Sequence, residues 1–221
     1  MNELLEQFFN LDVMREALPY LLKGLLTSLG LTLVLTPLGV LLGLGLALAS
    51  KQRNRLLRGL VRTWVNVFRA IPPPVLIILL FSSLTFLQLN LPALVCLVVA
   101  LALNSSAYYC EIYRAGLDSV PPGQAEAALA TGLNRFQVLV FVVLPQATRT
   151  VLPDLVSNTI EVVKSTSLAA LISVTDLLYA ANTVRSVTYN TSPLTLAALL
   201  YIVILLPAVR LATRLERRPS G

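Results

Sequence analysis

The 221-residue sequence predicts an all-α integral membrane protein of about five transmembrane helices, with an amphipathic helix in the membrane interface and a cytoplasmic loop of two short helices. Three observations carry that prediction. Hydrophobic residues make up 56% of the chain and charged residues 13%, about half the charged share of a soluble domain. Mean hydropathy is +0.78, which leaves too few charges to keep a soluble surface dispersed. Three stretches carry no charge at all: 27 residues from Gly24 to Ser50, 41 from Ala70 to Cys110, and 24 from Ser186 to Val209. A span needs roughly 20.

The first run reads as a span over 20–50. The 41-residue run is too long for one helix and is interrupted by Gln88, Asn90 and Pro92, so it reads as a hairpin with spans at 71–88 and 92–113. A fourth span at 153–174 contains Asp154, Glu161 and Lys164 and is placed by topology; the fifth lies at 193–212. Basic residues orient them. Lys51, Arg53, Arg55, Arg58 and Arg62 cluster after the first span, Arg210, Arg214, Arg217 and Arg218 after the last, and Arg114, Arg135 and Arg149 lie between. These twelve face the cytoplasm under the positive-inside rule, against Arg15, Lys23 and Arg185 outside. Only an odd number of crossings joins them, with the N-terminus outside and the C-terminus inside. Glu3, Glu6, Asp12 and Glu16 replace the basic start of a cleavable signal, so the first span is expected to do the targeting. The net charge of +6 is thereby topology and no indication of nucleic acid. The lipid bilayer is the solvent partner, and the chain reads as a single transmembrane domain over 1–221.

Between Lys51 and Ala70 the pattern becomes two-faced. Leu57, Leu60, Val61, Trp64, Val65 and Phe68 recur at three- and four-residue spacing, with Arg55, Arg58, Arg62, Asn66 and Arg69 opposite. This is an interfacial helix whose Arg side chains reach toward headgroups. Pro72, Pro73 and Pro74 end it. Cys96 and Cys110 are 14 residues apart in one expected helix, about 21 Å, too far for a bridge within it. Gly39, Gly43 and Ala47, four residues apart, allow close approach of another helix.

The loop 118–146 is the most strongly punctuated segment. Asp118 or Ser119 is expected to cap a helix whose first turn holds Pro121 and Pro122. Gln124 to Thr131 is rich in Ala and Leu, Gly132 suits the left-handed position after a helix, and Asn134 can cap a second helix that stops at Pro145.

Glu126-Ala127-Ala128, three residues, Gly132, nine residues, Val142, one residue, Leu144-Pro145 resembles the Glu-Ala-Ala motif of permease subunits of bacterial ABC importers, with Val142 in place of the usual Ile. Further segments are similar to the polar-amino-acid branch of that family. Val67-Phe68-Arg69-Ala70-Ile71-Pro72 looks like its Phe-Arg-Gly-Thr-Pro, Leu103-Asn104-Ser105-Ser106-Ala107-Tyr108 like its Leu-Asn-Ser-Gly-Ala-Tyr, and Lys164-Ser165-Thr166-Ser167-Leu168 like its Lys-Asp-Thr-Ser-Leu. The resemblance implies the type I importer permease fold. It implies that Glu126, Ala127, Ala128, Gly132, Leu144 and Pro145 couple the chain to a separate ATPase present in two copies. A second permease, identical or sibling, and an extracytoplasmic solute-binding protein complete the implied assembly in the bacterial cytoplasmic (inner) membrane.

Ser157, Asn158, Glu161, Lys164 and Ser165 form a polar face in the fourth span. Ionisable groups at membrane depth cost about 2.5–3.5 kcal/mol each, so they face a partner or a wet path. Two readings stand: an intrahelical Glu161–Lys164 pair, or a path for a zwitterionic solute in which Glu161 attracts an ammonium and Lys164 a carboxylate. Asn104 and Tyr108 add hydrogen bonds to that path or make a contact between helices.

Chemistry of its own is not expected. The chain has no His, no paired acids within a span and no nucleophile beside a base, so no catalytic, metal or cofactor site is assigned. Lys164 is the only Lys followed by Ser or Thr, and Val163 precedes it, so a phosphate-binding Gly-Lys-Ser/Thr loop is lacking. The resemblance then implies a transport subunit, with ATP handled by a separate partner. The solute reads as a polar amino acid, with a compatible solute or opine-like compound as the alternative. A self-sufficient channel or secondary transporter would leave the Glu-Ala-Ala loop unexplained.

Overall fold

A computed structural model describes residues 2–89 and 91–216. Asn90, expected to help interrupt the second uncharged run, and Arg217 and Arg218 of the C-terminal basic cluster lie outside the described residues. Within them every regular element is helical. This is the expected answer to a solvent that satisfies no backbone polar group.

The chain opens with α1 (Asn2–Phe9) and α2 (Leu11–Ser50), separated by Asn10, whose side-chain oxygen accepts from the N–H groups of Asp12 and Val13. The 40 residues of α2 span about 60 Å, twice the thickness of a hydrocarbon core, so the helix extends well beyond the expected 20–50 span. The interfacial helix α3 (Arg55–Ala70) ends where expected and begins four residues after Lys51, the expected start of the two-faced segment. Asn54 starts it by accepting from Leu56 N–H, and Ile71-Pro72 separates it from α4 (Pro73–Phe86).

The 14 residues of α4 cover only about 21 Å, short of a span on their own. Gln88, at a φ of 57°, ends the run that follows, and α5 (Ala93–Ser119) then continues six residues past the expected boundary at 113. Next come the loop helices α6 (Pro122–Ala130) and α7 (Arg135–Gln137), a π-helical segment (Val138–Val143) and α8 (Leu144–Thr150). The fourth expected span is α9 (Leu152–Ser165) prolonged by a 3₁₀ helix (Thr166–Ile172). After it stands α10 (Leu177–Thr188), which hydropathy did not anticipate, and α11 (Ser192–Glu216) completes the described chain. Among the described residues four stretches are long and apolar enough to cross a membrane, Glu3–Ser50, Ala93–Ser119, Leu152–Ile172 and Ser192–Leu215, and a fifth is available if α3 and α4, bent by 101°, form one broken span.

These helices contribute to two compact units. One comprises 1–37, 71–102 and 160–209. Its core joins Ala17 and Leu21 of α2 to Leu177, Ala180 and Ala181 of α10 and Ala197 of α11. Gly24 is required there, because a Cβ would strike the Asp176 carbonyl. The buried Asp176 caps α10 by accepting from the N–H groups of Leu178 and Tyr179, and Ser28 Oγ accepts from Leu177 N–H. The N-terminal helix is stitched to the segment before α11: Thr191 N–H donates to Gln7 O (3.0 Å) and Asn10 N–H to Ser192 Oγ (2.8 Å).

The other unit comprises 38–70, 103–159 and 210–221. The small-residue stripe of α2 meets α5 here. A Cβ on Gly39 would lie 2.7 Å from Ser105 Oγ, and one on Gly43 would strike Tyr109 Cβ and approach Cys110 N to 2.9 Å. Ala47, four residues on, is fully buried. Tyr109 is itself fixed by a 2.8 Å hydrogen bond between its hydroxyl and Thr159 Oγ1. Gly116 repeats the arrangement, since its Cβ would lie 2.8 Å from Ala147 O. Cys110 in this unit and Cys96 in the first are both buried and free, in keeping with a spacing too long for a bridge between them.

Gly43→Ala should therefore cost about 1–3 kcal/mol by overpacking. Gly30→Ala, at a helical position with nothing within 4 Å, should be neutral or stabilising. Thermal unfolding of the purified full chain in detergent checks this as a lower melting temperature for the first variant only.

Candidate functional site

Residues 118–146 fall within one compact unit, and several of the segment's turns have a local cause. At its start α5 runs through to Ser119, so Asp118 and Ser119 do not cap the following helix as expected. Asp118 instead pairs with Lys51, and Ser119 Oγ donates to Gly116 O. Pro121 occupies the N-cap position of α6 without a side-chain cap, and Pro122 stands at the first helical position, where its missing N–H costs nothing.

Along α6 the motif divides by face. Ala128 is buried, while Glu126 and Ala127 are exposed together with Leu129 at 44%. Gly132 has a φ of +90° and nothing within 4 Å, so it is required by backbone conformation and not by space. Its N–H closes α6 on Leu129 O, and Thr131 N–H does so on Ala127 O. Two residues later Asn134 and Gln137 form a capping box, each side chain accepting at 2.9 Å from the other's backbone N–H. Both the closing glycine and the capping asparagine are as the sequence predicts.

The expected stop at Pro145 is not observed. Helical backbone continues through it, because the turn before it widens to π geometry and Leu144 N–H reaches Leu139 O, five residues back. Gln146 then donates its side-chain amide to Val142 O at 2.9 Å. Leu144 is half-buried and Pro145 exposed. A cavity of about 260 Å³ lies among Leu48, Lys51 and Gln52 of the α2 end, Leu117 of α5, and Leu139 and Val143 of the π segment.

The same unit holds Asn104, Tyr108, Ser157 and Asn158. Asn104 is 8% exposed and donates to Phe68 O at 2.7 Å, which ties α5 to the end of α3. Tyr108 is partly exposed, with the Arg69 guanidinium carbon 5.5 Å from its ring centroid. Arg69 and Arg114 share Glu111, at 3.5 and 2.6 Å, and Trp64 Nε1 donates to Ser106 Oγ at 3.4 Å. This latch between α3 and α5 was not foreseen from sequence, although Glu111 is the first acid after a 94-residue interval from 17 to 110 without one. Ser157 and Asn158 are half-buried, and Asn158 Nδ2 is buried with no hydrogen-bond partner among the described residues.

Glu161, Lys164 and Ser165 lie in the other unit. Lys164 Nζ donates to Glu161 Oε1 at 2.6 Å, and Ser165 Oγ donates to Glu161 O at 2.8 Å. The side chains of the pair are 64% and 52% exposed, for Glu161 and Lys164 respectively, so pairing leaves most of both surfaces open. An exposed pair of this kind adds little stability. Among the described residues no group of three His, Cys, Asp or Glu side chains is arranged to hold a metal.

The profile of the family described as binding-protein-dependent transport system inner membrane component matches residues 39–221. A probable amino-acid ABC transporter permease protein, YckA of Bacillus subtilis, is 32% identical over 96% of this chain and 95% of its own length. The glutamate/aspartate import permease protein GltK of Escherichia coli is 35% identical over 92% of this chain and 95% of its own. Among solved structures, a crystal structure of an amino acid ABC transporter with histidines contains a chain 34% identical to this one. The two superpose with a TM-score of 0.84 over 93% of this chain and 96% of that one. The chain has the type I importer permease fold, and its family works with an ATPase and a substrate-binding protein as separate components. The long apolar helices, the punctuated loop and the match over 39–221 together make this chain a member of the binding-protein-dependent transport system inner membrane component family, a permease subunit of an ABC importer and not an enzyme.

Proposed function

We propose that this permease moves a polar amino acid through an alternating-access pathway built with a second permease, identical or sibling. Two copies of a separate ATPase drive it, and an extracytoplasmic solute-binding protein delivers the solute. The N-terminus lies outside, and the loop and C-terminus lie in the cytoplasm. Twelve of the basic residues fall on the cytoplasmic side of that topology, in support of it.

The observation that carries the reading is the two-faced build of α6. Ala128 anchors the helix while Glu126, Ala127 and Leu129 are left exposed on a short rigid element stopped by Gly132. A helix held at both ends transmits displacement as a body, which suits it to receive nucleotide-driven closure from the ATPase. Leu144 and Pro145 act from the next helical segment, where the π turn keeps the backbone continuous.

For the solute, support comes from two sides. GltK is named for glutamate and aspartate, and the structural relative carries histidines, so similar proteins handle α-amino acids. In this chain the exposed Glu161 and Lys164 present opposite charges 2.6 Å apart, a match to an ammonium and a carboxylate once the pair opens. Ser165, in the same unit as the pair, adds a neutral hydroxyl, and Asn104, Tyr108, Ser157 and Asn158, which belong to the other unit, are further neutral polar groups of the proposed path. The compatible-solute and independent-channel readings draw no support from proteins named in this way.

Gly132→Asp places a side chain at a φ of +90°, where a non-glycine residue is strained by about 1–2 kcal/mol. The importer should still assemble, yet solute uptake into proteoliposomes should fall about tenfold or more while ATP hydrolysis continues. Normal uptake by that variant counts against the coupling assignment. Glu161→Gln should change which amino acids stimulate ATP hydrolysis by the reconstituted importer. Unchanged selectivity combined with a lower melting temperature would assign the pair to structure.

A further inference from the structure

We infer that α3 carries a binding surface for anionic phospholipid, built from Arg55, Arg58 and Arg62 beside an exposed apolar stripe. At 100° per residue α3 has three faces. Val61 and Val65, 5% and 2% exposed, point into the protein. Leu56, Leu60 and Val67 fall on a second face and are 72%, 61% and 44% exposed. Arg55, Arg58 and Arg62 fall on the third, accompanied by Asn66. A helix with an unburied apolar stripe on one side and guanidinium groups on the other rests at the boundary of acyl chains and headgroups.

The charge balance identifies which headgroup. The interval from 17 to 110 contains no Asp or Glu. Nearby, Lys51 is neutralised by Asp118 and Arg69 by Glu111, but Arg55, Arg58 and Arg62 have no acidic partner among the described residues. Arg58 and Arg62 stand one turn apart, and like charges at that spacing disfavour a helix unless an anion lies between them. Guanidinium groups bind phosphate oxygens by paired N–H donors, and a phospholipid with net negative charge supplies the phosphate without a competing ammonium. The adjoining Leu56, Leu60 and Val67 would contact its acyl chains, which a soluble phosphate cannot offer. The inference needs only the membrane setting that the family provides.

Trp64, the single tryptophan of the chain, borders this surface and reports on it. The full chain is reconstituted in phosphatidylcholine containing either brominated phosphatidylglycerol or brominated phosphatidylcholine, and quenching of Trp64 fluorescence measures local enrichment. Phosphatidylglycerol should be favoured about fivefold or more, and high salt should weaken the preference. Arg58→Gln/Arg62→Gln should bring the ratio to near parity, and Arg58→Lys/Arg62→Lys should restore much of it. Equal quenching by the two lipids in the unaltered chain would overturn the inference, as would a preference that the Gln variant leaves intact. If the unaltered chain shows no preference and the Gln variant loses its ATPase subunit on purification, the stripe belongs to that protein partner and the lipid inference fails.

Discussion

Hydrocarbon offers no hydrogen bonds, and that single constraint organises this molecule. Many polar groups on the apolar helices are answered from within the protein, although Thr36 Oγ1, Asn158 Nδ2 and Tyr201 Oη have no partner among the described residues. Ser28 Oγ donates back to Gly24 O, Thr32 Oγ1 to Ser28 O and Thr159 Oγ1 to Leu155 O, so hydroxyls on long helices bond the preceding turn. The N-terminus of α10 finds its donors a partner in the fully buried Asp176. Because lipid tails compete with apolar side chains on equal terms, helices must gain by close packing, and Gly39 and Gly43 let α2 meet Tyr109 on α5.

The same constraint explains which features were legible in the sequence. Charge-free runs had to be helical, and amphipathic spacing with the Pro72–Pro74 triplet marked the end of α3, whereas its start is set by Asn54, which the spacing did not single out. Gly132 and Asn134 were readable because each has one backbone use at that point. Span boundaries were less legible, since hydropathy marks the lipid-facing stretch and not the helix, and α2 and α5 both run on past it. The helix α10 was missed because Asp176 counts as a charge in hydropathy yet serves as an N-cap in structure. Pro145 misled for a related reason: the rule that proline ends a helix assumes regular α geometry, and a π turn evades it.

Within the candidate site, the residues divide by how local their causes are. The closure of α6 at Gly132 and the Asn134–Gln137 capping box are contacts within five residues and could be read from the order of amino acids, whereas the Asp118–Lys51 pair and the π turn before Pro145 could not. Asn104, Tyr108 and Glu111 depend on partners in α3 about 40 residues away, and nothing in their spacing announced Phe68 O or Arg69. For Glu161 and Lys164 the spacing left two readings, a pair within one turn or a solute path, and in the structure the two side chains pair. What the pair does for a solute depends on a pathway that a second permease would complete.

The division of labour places energy conversion outside this chain, in a separate ATPase subunit. The most direct measurement is solute flux across proteoliposomes containing the purified chain with and without its ATPase subunit and binding protein. The account predicts no amino acid flux from the chain alone and ATP-dependent uptake from the complete assembly. Sustained flux through the chain alone, independent of ATP, would contradict it.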